Sequence, residues 1–289
     1  MILQALIFAL LSLLPPPTGQ GIGSLTLLEG SLRVIRGTTV FQGAEGIEVR
    51  QGDIIESSEG AFAQLEFASG TIVALGPSSR LYIFQHAAGG TSSEHTVAVD
   101  LVLLNGWFKG ESSAGKGSYR YQSPMLAATT AGGTVVLHSN ESGCDIFVES
   151  GSASIGEVSQ SGNSRQTITV KAGQFVSRHK GTGVNSLPRP SPTFIDSMPR
   201  PFRDTLPSRL AHFAGKSVEP KPEHQVAYVE IQHWLTIPSA WRRGFAERFA
   251  PRLNDPDFRK QIELHVDEYP EWEPILHPER NSESPRARN

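Results

Sequence analysis

The chain has 289 residues, a single cysteine and a formal net charge of −3. This near-neutral balance gives no electrostatic basis for binding nucleic acid or acidic membranes. An internal disulfide needs two cysteines, so the composition excludes a disulfide-stabilised scaffold. Cys144 is expected to be a small buried residue, with a reactive thiol as the alternative.

An apolar run opens the chain, from Ile2 to Leu14, and three prolines follow it. The run is too short to span a bilayer as a helix, which needs about 20 residues. It is typical of a secretory signal peptide, so residues 1–22 are interpreted as a signal and the protein as periplasmic or secreted. An uncleaved anchor and a misassigned start codon are the alternatives, since no Lys or Arg precedes the run.

Residues 52–83 contain three short apolar runs separated by turn signals. Residues 61–67 alternate between apolar and polar side chains, which predicts a half-buried strand with Gln64 and Glu66 towards solvent. Ser69 and Gly70 predict the turn that follows, since glycine accepts a positive φ without steric cost. The chain is therefore expected to fold as short strands joined by tight turns.

The same pattern continues from Leu25 to Arg178, where about fifteen short strands are predicted between Gly, Ser and Asn-Gly turns. Many short, evenly spaced strands favour a sandwich, a barrel or a β-roll. Glycine and proline divide the chain: 26 of the 28 glycines precede residue 188, and 15 of the 20 prolines lie at or after it. Two differently built regions are therefore expected.

The second region begins with a proline-rich linker, predicted over residues 183–221, and continues with short helices over 222–280. One helix is predicted to begin at a Ser239 cap and to carry Trp241, Phe245 and Phe249 on one face. Another begins at Asp255-Pro256, a good pair for a cap and a first turn. Because so few short helices bury too little surface to fold alone, they are expected to dock on the β domain. Residues 281–289 are predicted to be a disordered tail.

The order of the turn and strand motifs resembles the FecR-type periplasmic domain. Gly-Asp is followed by Gly-Ala-x-Ala-x-Leu-x-Phe and then by Ser-Gly-Thr-x-Val-x-Leu-Gly-Pro, and similar steps recur over roughly residues 24 to 180. Ser69 and Gly132 depart from the pattern, since Asp and Arg are usual there. The matching positions, interpreted as structural, are Gly52, Asp53, Gly70, Thr71, Gly76, Pro77, Gly106, Pro124, Gly133, Thr134, Gly151 and Gly173.

The resemblance implies a many-stranded, β-helix-like roll over residues 23–182. It also implies a sensor that relays a signal from an outer-membrane receptor towards a sigma factor. Such regulators carry a cytoplasmic segment before one membrane span, whereas here the apolar run begins at residue 2. Direct control of a sigma factor is therefore not expected, and the β domain is interpreted as a stand-alone envelope module.

The sequence contains no nucleophile elbow, no His-Glu-x-x-His, no Cys-x-x-Cys and no phosphate-binding loop. His86 and His95 could meet across a hairpin, but a metal site would need a third ligand. Two further groups are expected to be solvated: the acids Glu45, Glu48, Glu56 and Glu59, and the pair Arg242-Arg243. No enzyme activity, cofactor or metal is predicted.

Three functions are consistent with these observations. The first is a binding or signal-transduction module of the cell envelope that contacts another envelope protein. The second is a structural protein associated with the cell wall or its glycan. The third, a carbohydrate-active enzyme, would need two carboxylates facing each other about 5 to 10 Å apart in a groove.

Overall fold

The computed structural model describes residues 21–84, 97–115, 117–159, 161–162 and 164–278. In these ranges the chain is mainly β with small helices after residue 191, which confirms the predicted fold class. The strands are β1 Gly23–Glu29, β2 Leu32–Arg36, β3 Thr39–Gln42, β4 Glu48–Val49, β5 Ile54–Ser57, β6 Phe62–Phe67, β7 Ile72–Leu75, β8 Arg80–Ile83, β9 Val97–Ser112, β10 Ser118–Gln122, β11 Leu126–Asn140, β12 Gly143–Val158, β13 Ser164–Lys171, β14 Phe175–His179, β15 Asn185–Leu187 and β16 Lys221–Gln225. The α-helices are α1 Pro192–Ser197, α2 Tyr228–Leu235, α3 Phe245–Phe249, α4 Pro256–Leu264 and α5 Glu273–Leu276.

The strands form one continuous sheet that folds over itself into two layers. The front layer has the order β16-β3-β2-β5-β8-β9-β10-β11-β12-β13, and the back layer the order β4-β1-β6-β7-β9-β11-β12-β14-β15. β9, β11 and β12 belong to both layers, because different halves of each strand pair with different neighbours. These three strands, at 15 or 16 residues, are much longer than the short strands that the sequence predicts.

Glycines mark the points where the long strands pass between the layers. In β11 and β12, Gly133 lies opposite Gly151, with φ values of +120° and +75°. A Cβ on Gly133 would lie 2.3 Å from the carbonyl oxygen of Ser150, so only glycine permits this close approach. The bend therefore depends on two of the residues that resemble the FecR pattern.

Three apolar clusters hold the fold together. The central cluster takes buried side chains from both layers, such as Leu65 and Leu101, and forms the core of the β domain. A second cluster joins the outer face of the front layer to the carboxy-terminal helices, including Trp234, Trp241 and Phe249. The predicted docking of the helices on the β domain is thus confirmed, and their aromatic stripes form core.

The third cluster lies on the outer face of the back layer. It is covered by residues 192–210, which we call the strap and which fall within the segment predicted as a linker. Phe194, Phe202 and Leu206 of the strap pack there against Trp107 and other strand residues. The proline-rich segment therefore closes one face of the β domain.

Two local predictions are wrong for reasons that lie elsewhere in the chain. β6 is buried on both faces, with Gln64 and Glu66 at 1% and 3% exposure, because the strap covers their side. No helix begins at Ser239: Gly244 adopts a left-handed φ of +84°, and α3 begins only after it. Asp255 does cap α4, accepting hydrogen bonds from the backbone N–H groups of Asp257 and Phe258.

None of the described helices is long and apolar enough to cross a membrane. The predicted signal peptide lies outside the described residues, apart from its last two positions, and so do the predicted tail and the histidine pair, His86 and His95. Within the described ranges, no group of three or more His, Cys, Asp or Glu side chains is placed to hold a metal ion.

Candidate functional site

A polar cleft of about 520 Å³ opens on the front layer, beside β16. Its lining is mostly polar. The charged residues are Arg33 of β2, Glu56 of β5, Arg80 of β8 and Glu223 of β16. The uncharged polar side chains around them are Ser31, Gln42, Ser57, Ser58, Ser78 and Asn105.

Glu56 is the centre of the cleft and is only 6% exposed. Its carboxylate accepts a hydrogen bond from Arg33 Nε at 2.7 Å, and Arg80 Nε lies 3.5 Å away. The indole N–H of Trp234 donates to its other oxygen at 3.3 Å. The expectation that Glu56 is a solvated surface acid is therefore wrong, because α2 covers it; Glu59 is exposed as expected.

Arg33 links Glu56 to a second carboxylate, Glu230, at the start of α2. Arg33 Nη1 donates to Glu230 at 2.7 Å, and His224 Nε2 of β16 lies 3.1 Å from the same carboxylate. Glu230 also accepts from the backbone N–H of Ala227, which caps the helix. A chain of alternating charges thus ties β16 and α2 to the sheet beneath the cleft.

The arrangement favours recognition over proton transfer. Both carboxylates are held by arginine and by further donors, so neither is a free base. Arg33 and Arg80 each remain about one-third exposed and can still donate hydrogen bonds into the cleft. The cleft therefore offers a preorganised polar surface, suited to carboxylates, amides or hydroxyls of a ligand.

The residues that resemble the FecR pattern lie outside this cleft, at turns and bends, and act on the fold. Asp53 is 1% exposed and accepts two hydrogen bonds from Arg36, at 2.9 and 2.7 Å. Gly52, at φ +85°, makes the turn before it, and its carbonyl accepts from Arg248 at 2.6 Å. The Gly52-Asp53 step of the FecR pattern therefore forms a turn followed by a buried ion pair.

The next step of the pattern is the hairpin between β6 and β7. Gly70 has φ +82° there, and its N–H donates to the carbonyl of Phe67, as the sequence predicts. Thr71 is buried beside it, with its hydroxyl 3.0 Å from that of Ser69.

Ser79 joins two further steps of the pattern. Its hydroxyl donates to the carbonyl of Gly76, which precedes Pro77, and accepts from the N–H of Trp107. A Cβ on Gly106 would lie 2.4 Å from this hydroxyl. Glycine at position 106 therefore leaves room for the buried serine.

The remaining positions of the pattern are separate turns and pairings. Pro124 lies in a turn closed by Ser123, whose hydroxyl accepts from the N–H of Leu126. Thr134 receives a hydrogen bond from Ser150, and Gly173, at φ +85°, turns the chain from β13 to β14. These positions are spread over the β domain, so they do not mark one site.

Two other expectations have mixed outcomes. Cys144 is buried as predicted, and burial raises the pKa of its thiol to about 12. Arg242 is not solvent-facing: it pairs with Glu271, donates to the carbonyl of Ile237 and lies over the ring of Tyr269, whereas Arg243 is exposed. No local pattern of residues indicates the Arg242 pair, because its partner is 29 residues away.

Another buried carboxylate, Asp100 of β9, lies opposite Arg120 in the parallel pairing with β10. Gln122 donates to one oxygen at 2.7 Å, and Arg120 Nη1 lies 3.6 Å from the other. Burial raises the pKa of Asp100 to about 6, although Arg120 and Gln122 oppose the shift. Compared with the unfolded chain, the folded protein therefore favours the protonated form of this carboxyl.

Replacing this carboxyl, Asp100→Asn, is expected to stabilise the fold at pH 7.5 by about 1–2 kcal/mol, because ionising the buried acid costs stability. The sign follows from the raised pKa of Asp100: the cost is absent below about pH 4, grows as the pH rises to about 6 and is constant above that. Denaturant melts at pH 4 and pH 7.5 measure it. A stability difference that is the same at both pH values would show that ionisation of Asp100 carries no cost.

Comparison with known proteins gives no family assignment. No protein-family model matches the chain, and no curated protein sequence matches it. Two crystal structures of a candidate anti-sigma factor from Parabacteroides distasonis ATCC 8503, at 2.50 and 1.65 Å resolution, are similar in part, with TM-scores of 0.39 and 0.38 and 9% identity. The similar region covers 47% of this chain and 59% of those chains. TM-scores this low do not establish a shared fold.

Proposed function

We propose that this protein is a non-enzymatic binding module of the cell envelope, exported by its amino-terminal apolar run, that contacts another envelope protein through the cleft beside Glu56. The carrying observation is the charge arrangement of that cleft. Arg33 and Arg80 both pair with Glu56, whose carboxylate is thereby held, while about one-third of each arginine side chain stays exposed. Rigid, partly exposed arginine is suited to recognising polar groups at a protein interface.

The resemblance to FecR-type domains supports a role in signal transduction within this proposal. The residues that carry the resemblance hold turns and strand bends, so they would preserve the β scaffold while the cleft determines the partner. A structural protein that holds cell-wall glycan is the second candidate. The serine, asparagine and glutamine side chains of the cleft favour it, since they can bond to sugar hydroxyls.

Site-specific photo-cross-linking in intact cells tests the proposal. A photoreactive residue at exposed Ser58, on the rim of the cleft, is expected to capture one envelope protein, and the same residue at exposed Ser142 is not. Arg80→Ala should abolish the product from position 58. Equal capture at both positions, or capture of cytoplasmic proteins alone, would refute the protein-binding role. Retention on isolated peptidoglycan that depends on Arg80 would instead identify the glycan-binding role.

A further inference from the structure

The longest uncovered sheet edge in the described part of the chain is β13. Its only strand partner there is β12, so its other side is unpaired. The other layer ends are less accessible for pairing: β4 has two residues, β15 has three, and β16 carries Pro222. Short strands and proline are common devices that prevent edge pairing, and β13, with eight residues and no proline, lacks both.

The free edge of β13 is already extended and can pair with an added strand. Val170 is 1% exposed and anchors the strand in the central core, while Gln166 to Thr169 are exposed. Ile168 is 38% exposed, which is high for a large apolar side chain in a strand. Four consecutive β-branched residues, Thr167 to Val170, favour the extended conformation that an added strand requires.

A bulge limits the usable length of the edge. Gln166 has a φ of +43°, and the pairing with β12 shifts between Ile155 and Glu157. Regular pairing with β12 therefore runs from Ile168 to Lys171, which is long enough for a short added strand.

The charges of β13 favour one of two possible partners for this edge, a second copy of the chain or a segment of another protein. The strand contains Arg165 and Lys171 and no acidic residue. The β13 strand of a second copy would add two more basic residues and no acidic one, and like charges close together on paired strands are destabilising. An acidic segment of another protein would instead complement the positive charge of β13.

We propose that β13 binds an extended, acid-flanked segment of a partner protein by strand addition, with an apolar partner residue against Ile168. Backbone hydrogen bonds supply the affinity in this mode, and the side chains at alternating positions supply the selectivity. The site is separate from the cleft beside Glu56 and does not depend on the function proposed for that cleft.

Binding of a synthetic peptide to the full chain tests the chemistry. A fluorescent Glu-Thr-Val-Thr-Val-Glu peptide is expected to bind at least tenfold more tightly than its Lys-Thr-Val-Thr-Val-Lys counterpart, measured by anisotropy. Lys171→Glu should weaken binding of the acidic peptide about fivefold, as expected for a partly exposed charge pair. Lys180→Glu makes the same change of net charge at another exposed lysine and should have no effect. Equal binding of both peptides, or equal effects of both variants, would overturn the proposal.

Proline substitutions test the strand addition itself. Neighbouring N–H groups of a strand point to opposite sides, so Ile168→Pro and Thr169→Pro affect different edges of β13. One variant should lose a bond to β12 and melt at a lower temperature. The other should melt like the unmodified protein but fail to bind the peptide. If this second variant binds normally, the edge is not the site.

Hydrogen exchange of the unmodified protein gives an outcome that does not require either variant to fold. Alternate amides from Thr167 to Lys171 are expected to exchange rapidly in the free protein and to become protected when the acidic peptide is added. If all of these amides are already protected in the free monomer, another segment of the same chain covers the edge. If they are protected only in a dimer, a second copy covers it. Either result would overturn the proposal.

Discussion

A chain that ends after residue 187 is expected to keep its β structure, to bind a hydrophobic dye strongly and to melt roughly 10 °C or more below the full chain. It retains the two-layered sheet and its central core but loses the covers of both outer faces. Tyr82 and Val102 on the front face and Phe62 and Trp107 on the back face would become accessible to water. In a domain of this size, each kcal/mol of lost stability lowers the melting temperature by about 2–4 °C.

The reciprocal fragment, residues 205–289, is expected to be largely unfolded. Its α-helices have four to nine residues, and isolated helices below about 12–15 residues are marginal in water. Their aromatic side chains, such as Trp234 and Phe245, pack against strand residues as well as against each other. Circular dichroism and dye binding of both fragments measure these outcomes.

A chain that ends after residue 280 provides the control for this truncation. It removes only the predicted tail and should melt like the full chain. A carboxy-terminal fragment that is helical and melts cooperatively alone would contradict the expectation. The helices would then form an autonomous domain, and the protein would consist of two binding modules instead of one.

The features that the sequence predicted correctly depend on a few neighbouring residues. The turn at Gly70 needs a positive φ at one position, and the cap at Asp255 needs an acceptor two or three residues before free backbone N–H groups. The apolar alternation of residues 61–67 likewise identifies β6. Each of these signals is complete within about seven residues, so tertiary structure does not alter it.

The burial of the charged groups could not be predicted in the same way. Glu56 is covered by Trp234, which follows it by 178 residues, and Glu66 is held by Ser208, which follows it by 142. A period-two pattern identifies the two faces of a strand but not what covers the second face. The cleft and the covered back face therefore become apparent only when the carboxy-terminal region is placed on the sheet.

Buried charges as well as apolar packing attach the strap to the outer face of the back layer. Lys109 of β9 is fully buried, and its ammonium donates to the carbonyls of Phe202 and Asp204 in the strap, at 2.9 and 2.8 Å. Glu149 lies 2.9 Å from the same nitrogen, and Glu111 lies 3.6 Å from it. One side chain thus pairs with two carboxylates and fixes two strap carbonyls.

Glu66 supplies the opposite charge further along the strap. It accepts hydrogen bonds from the Ser208 hydroxyl at 2.6 Å and from the backbone N–H of Arg209 at 2.6 Å. Burial raises the pKa of this carboxyl, but these bonds and those from Thr26 and Gln64 outweigh burial and hold the pKa below its ordinary value. The attachment of the strap through Glu66 is therefore complete at neutral pH and weakens as the pH falls below about 4.5.

Lys109→Met should consequently be among the most damaging single substitutions in the chain, at about 3–5 kcal/mol of unfolding free energy. Methionine fills similar space but leaves two strap carbonyls without their donor and the carboxylate of Glu149 without its cation. Denaturant melts measure the loss, and trypsin should cleave at Arg203 or Arg209 faster than in the unmodified protein, because the strap is released. Lys171→Met, at an exposed lysine, is the matched control and should change stability by no more than about 0.5 kcal/mol. A cost below about 1 kcal/mol for Lys109→Met, with unchanged proteolysis, would show that Phe202 and Leu206 hold the strap by apolar contact alone.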